Sequence, residues 1–260
     1  MLQQFIDLVA SLGVLGTGFV LLVTFAAGVL RGYAGFGFAL AAAPALSLVL
    51  APADMVMAVT VIALFGGLRL VVKARHAADW GSTWLLLAGA VIGLPFGIAM
   101  LRHLPADLMR ALIGLVVLGS VLLLWRGFTL SHAPSRAMRI GLGVISGFLN
   151  GSTSMGGPPV IIFFLASPAG AAAGRASLFI YFFFLSIVTL AIAAFGGLLT
   201  LRVIYLSLLM LPAMSLGNAM GDRMFDKSSA SAYRRVALGV LAAVALLAVA
   251  RAVYGLVAGN

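Results

Sequence analysis

The sequence predicts an all-α polytopic membrane protein, made of two repeated halves of about four apolar regions each, with about eight to ten membrane helices or half-helices in all. Three observations carry that prediction. Apolar residues make up 63% of the chain and charged residues only 8%, against about 45–50% and about 25% in soluble domains. Several apolar stretches are long enough to span hydrocarbon. A glycine pattern recurs in the two halves, and the first apolar region of each half is broken by Gly, Pro and small polar residues.

Residues 53–72, 81–101, 174–197 and 203–221 each approach the roughly 20 apolar residues that cross about 30 Å of bilayer as a helix. Barrel strands would be about half as long and would alternate in polarity, so the spans are read as helical. The N-terminal MLQQFIDLVASLG lacks a basic leader region and a small-residue cleavage pattern, and is read as the start of the first membrane region. The chain has no Cys and no Glu, which removes disulfides, thiolate metal sites and thiol nucleophiles.

Gly28-Val-Leu-Arg-Gly32 and Gly143-Val-Ile-Ser-Gly147 lie 115 residues apart (143 − 28), and each leads to a proline twelve residues after its second glycine, Pro44 and Pro159. Phe65-Gly66-Gly67 then echoes Phe195-Gly196-Gly197, Gly93 and Gly97 echo Gly217 and Gly221, and Arg110–Gly114 echoes Arg235–Gly239. The order of the matches argues for a duplication. Residues 1–125 form the first transmembrane repeat, 126–139 a polar linker and 140–260 the second repeat.

The net charge of +10 would point to nucleic acid in a soluble protein, but here the basic residues sit in short loops, as cytoplasmic loops of membrane proteins require. If each broken region crossed once, Lys and Arg would divide 8 to 7 between the two sides. If each instead turns back, the division is 4 (Arg102, Arg110, Arg202, Arg251) to 11, leaving out Arg31. That bias favours an odd number of crossings per half, an inverted repeat and both termini outside the cytoplasm.

The breaks carry the functional reading. An unsatisfied backbone group in hydrocarbon costs several kcal/mol, so an interrupted membrane helix must line protein or a water-filled cavity. In 147–165, Pro158 and Pro159 suit the first turn of a new half-helix, Ser152, Thr153 and Ser154 are capping types, and Gly156 and Gly157 let a ligand approach the backbone. Free N–H groups at such an end attract an anion. The first half follows the same plan in 31–44, with Gly35, Gly37 and Pro44. Two broken helices in corresponding positions point to a transporter's central site. The substrate contacts expected are Arg31, Gly35, Gly37, Asn150, Ser152, Thr153, Ser154, Gly156 and Gly157, framed by Gly32, Pro44, Gly147, Gly151, Pro158 and Pro159. Gly66, Gly93, Gly97 and Gly217 are read as helix-packing contacts.

In these motifs the chain resembles the TauE/SafE sulfite exporter family, also called the four-toluene-sulfonate-uptake permease type. The matching residues are Gly32, Gly35, Gly37 and Pro44 in the first half, and Gly147, Gly151, Gly156, Gly157 and Pro159 in the second. The resemblance runs from about residue 10 to 255. It departs from the family at Phe36 and Phe38, where relatives often carry a denser glycine run, and at Asn150–Ser154. It implies export or permeation of sulfite, sulfonates or other small organic anions such as carboxylates.

Arg31 is the one charged residue well inside a broken region, which makes it a site candidate. Arg175 and Arg202 flank spans and are expected as interfacial anchors, and His76, His103 and His132 as solvated loop residues. No acid sits at mid-span, so coupling through a buried carboxylate is not expected. An intramembrane protease would need His with Glu, or Ser with His, inside the spans, and neither constellation is present. An anion channel and a non-transporting scaffold or assembly factor are the alternatives. The partners expected are a small anion and the lipid bilayer of the cell (inner) membrane, with a homo-oligomer allowed. No cofactor, metal or nucleic acid is expected.

Overall fold

The computed structural model describes residues 2–125, 134–165 and 170–227, all of them in helices or the turns between helices. Among these residues the order is α1 Leu2–Ala34, α2 Phe38–Leu46, α3 Pro52–Ala74, α4 Trp80–His103, α5 Ala106–Trp125, α6 Arg136–Thr153, α7 Gly157–Leu165, α8 Gly170–Phe195 and α9 Leu201–Asp226. The echo at Arg235–Gly239, His132 and the C-terminus lie outside the described residues. Arg136–Arg139, expected in the linker, already belong to α6.

The helices begin where the sequence supplies acceptors for their first amides. Asp79, Ser135 and Thr200 each accept from a backbone N–H three residues on, at 3.1, 3.2 and 3.3 Å, and Pro52 opens α3. By length and composition, segments of α1, α4, α8 and α9 can cross a membrane, and Pro52–Leu68 of α3 is a shorter apolar helix. Val14, Leu15 and Phe195 are at least 90% exposed, which suits lipid and not water. His103 ends α4 rather than standing in a loop.

Helix pairing rests on close backbone approach, since lipid leaves little hydrophobic drive between helices. A Cβ on Gly93 would stand 2.8 Å from the Phe148 nitrogen, and one on Gly147 would stand 2.7 Å from the Ala90 Cα. Gly89, Gly93 and Gly97 meet α6 at Ile140, Val144 and Phe148 in ascending order, so α4 and α6 run parallel. Gly28 and Gly32 meet α9 at Met214 and Asn218, so α1 and α9 are parallel too. Gly66 packs against the Met214 and Asn218 side chains of α9.

Between these seams, α3 lies against α8 and also beside α9, while α8 lies beside α4. The Asp54–Arg202 and Lys73–Asp222 ion pairs join the starts and the ends of α3 and α9, which are therefore parallel. The breaks are hairpins. Gly37 stands against Leu30 and Val49 against Gly16, so the chain after Gly37 runs back along α1.

Candidate functional site

Each hairpin tip forms because its residues cannot continue a helix. Gly35 and Gly37 have φ of 85° and 88°, the left-handed region that only glycine enters without strain. α1 therefore stops at Ala34 and α2 starts at Phe38, six residues before Pro44, which lies inside α2 and not at its start. In the second half Ser154 takes the left-handed position (φ 60°), and Pro158 and Pro159 fall in the first turn of α7.

The two tips meet at one cavity of about 500 Å³ of empty space, a figure that includes its open side. From the first tip come Arg31 and Phe36 through Leu40; from the second come Asn150, Ser154, Met155 and Gly157. α3 adds Val59, Thr60 and Ala63, and α8 adds Phe182 and Ser186. Among these lining residues Arg31 is the single charged side chain.

Arg31 is 3% exposed, and its Nη1 donates to the Ala63 carbonyl at 2.9 Å. Its Nη2 is buried without an acceptor. The guanidinium rests on α3 where Gly67 has no side chain, since a Cβ there would lie 2.6 Å from Nη2. This explains a glycine that the repeat pattern alone could only flag.

The hydroxyl-bearing wall is internally bonded. Thr60 Oγ1 donates to the Val56 carbonyl at 2.7 Å, leaving Ser154, 3.3 Å away, to donate to it. Asn150 Nδ2 donates to Thr189 Oγ1 at 3.0 Å, and Ser186 to the Phe182 carbonyl at 2.7 Å. Behind this wall, Tyr181 donates to Ser146, and Ser146 to the Gly156 carbonyl, fixing the tip of the second hairpin.

Of the residues singled out in the sequence, Arg31, Gly37, Asn150, Ser154 and Gly157 line the cavity. Gly35 faces Arg175, whose Cγ would be 2.7 Å from an added Cβ. Ser152 and Thr153 turn their hydroxyls onto the Phe148 and Leu149 carbonyls of their own helix, at 2.9 and 2.7 Å. Gly156 lies behind the wall, against Ser146 and Asn150. Thr60, Phe182 and Ser186 escaped the sequence reading because a lone hydroxyl or aromatic in an apolar helix carries no local signal.

Arg175 departs from expectation. It is 8% exposed and is no interfacial anchor: Nε donates to the Tyr33 carbonyl at 2.9 Å, Nη2 donates to the Gly32 carbonyl and to Asp222, and the guanidinium stacks 3.8 Å from the centre of the Phe225 ring. It closes the C-terminal end of α1, where carbonyls lack helical partners. Arg202 is half exposed and pairs with Asp54 at 3.1 Å. Among the described residues no three His, Asp or Glu side chains converge as metal ligands.

These features define a class, a polytopic helical membrane protein with a largely apolar cavity, carrying one buried cation and a few hydroxyls, between two interrupted helices. The family model described as sulfite exporter TauE/SafE matches residues 20–248, and the chain belongs to that family. It is accordingly a membrane transporter of the exporter type. Comparison with curated proteins and with solved structures found no match.

Proposed function

We propose that this protein exports small sulfur-containing or organic anions, such as sulfite, sulfonates or carboxylates, across the cell (inner) membrane, binding them between its two hairpins. The observation that carries this reading is the Arg31 guanidinium, buried in a cavity lined by no acid and with one nitrogen left free. Burying a cation with an idle donor is costly, and an oxyanion taking two N–H bonds from the fork relieves that cost.

The fold reading belongs with it. Exchanging α1 for α6, α3 for α8 and α4 for α9 returns the same helix pairings with directions reversed, which supports two inverted repeats around the site. An exported anion needs no proton relay, because an inside-negative potential drives it outward with about 2.3 kcal/mol per charge per 100 mV.

The test is purified protein in liposomes, loaded with sulfite, an alkanesulfonate or a carboxylate and given an imposed potential. Saturable, potential-driven efflux of at least one of these anions is expected, without unitary currents. Efflux no faster than from protein-free vesicles for all three would refute the reading.

A further inference from the structure

The cavity has two helix N-termini facing it, and they are not equivalent. At α2, Gly37 caps the helix without a side-chain hydrogen bond, and Ala41 is the first residue whose N–H reaches back, to the Gly37 carbonyl at 2.9 Å. The amides of Phe38, Ala39 and Leu40 therefore have no helical acceptor, and all three residues line the cavity. At α7 the corresponding first turn reads Gly157-Pro158-Pro159, in which two of three residues have no N–H to give. The polar side chains on that wall are engaged as well, Ser154 with Thr60 and Asn150 with Thr189.

An independent feature points the same way. The Arg31 side chain, 3% exposed, lines the same cavity as the α2 residues and keeps one guanidinium nitrogen, packed over Gly67 of α3, without an acceptor. From these we infer that the oxyanion group of the substrate docks on the first hairpin, held by the Arg31 guanidinium and the amides of Phe38–Leu40, while the second hairpin supplies hydroxyl and apolar walls but little charge. This deepens the proposed function and rests on it. The specificity it implies is for a compact group with at least two acceptor oxygens, because a helix end and a planar fork together present several donors to one anionic centre.

α7 itself shows how to test this, since its first turn accepts proline at its second and third positions. Ala39→Pro would delete one α2 donor, and Pro159→Ala would add one at α7. With sulfite as the probe in liposomes, Ala39→Pro should raise the half-saturating concentration about tenfold, the loss of one hydrogen bond to a charged group. Pro159→Ala should stay within about twofold of the parent. The reverse ranking at equal membrane abundance overturns the inference while leaving the transport reading intact; a parent that moves no anion removes both. Should Ala39→Pro fail to reach the membrane, selenite bound to the parent protein decides by anomalous diffraction. A selenium peak beside the Phe38–Leu40 amides and Arg31 supports the assignment. A peak beside Gly157, or none although selenite is transported, overturns it.

Discussion

The guanidinium of Arg175 on α8 lies 2.9 Å from the carboxylate of Asp222 on α9 while also holding the last carbonyls of α1. One side chain from the second half of the chain thus finishes the helix that precedes the first break. Asp222 reaches Lys73 on α3 as well, at 3.1 Å, so four helices meet at this cluster.

Arg175→Gln should therefore lower stability by about 3 kcal/mol, the low end for breaking a buried pair, since Asp222 keeps 17% exposure. Asp222→Asn should cost less, because Arg175 retains its carbonyl partners. Thermal melting of the two variants in detergent checks the ranking, and equal melting temperatures would show that the cluster does not secure α1.

The α4–α6 seam makes a sharper stability prediction. Gly147→Val should force the helices apart and cost at least about 1–3 kcal/mol, because its Cβ would press on Ala90 backbone. Gly141→Ala, on the same helix but with nothing within 4 Å, should be nearly silent. Comparing folded yield and melting temperature of the pair separates a packing seam from a general intolerance of α6 to substitution.

At the site, Arg31→Lys should transport sulfite with weaker apparent affinity, and Arg31→Gln should lose most transport. Lys keeps the charge but cannot reach both the Ala63 carbonyl and an anion through a planar fork. Indistinguishable sulfite saturation curves for the parent and both variants at matched expression would remove Arg31 from the path.

Sidedness is testable directly because the chain has no native Cys. A Cys at Gln3 should react with an impermeant thiol reagent applied from outside, and one at Ser135 should not. Labelling of Ser135→Cys alone would reverse the orientation derived from the 4 to 11 division of basic residues.

Much of the fold was legible in the sequence, because bilayer chemistry is uniform along the chain. Spans predicted at 53–72 and 203–221 occur as α3 and α9 with ends extended by up to five residues, and the interrupted regions are the two hairpins. Gly35 and Gly37 illustrate the limit. Both read as flexible positions near a ligand, and both take positive φ, yet one faces the cavity and the other faces Arg175.

The sequence by itself determined the solvent, the helical class, the places where helices must break and the family resemblance, since each follows from local composition and spacing. Only the tertiary structure decided which donors stay free. Whether Arg31 has a spare nitrogen, whether Ser154 is already bonded, and whether Arg175 is buried all depend on partners such as Ala63, Thr60 and Gly32, which lie 32, 94 and 143 residues away. Hydrogen-bond satisfaction in a low-dielectric interior is set by that distant packing, and no local pattern encodes it.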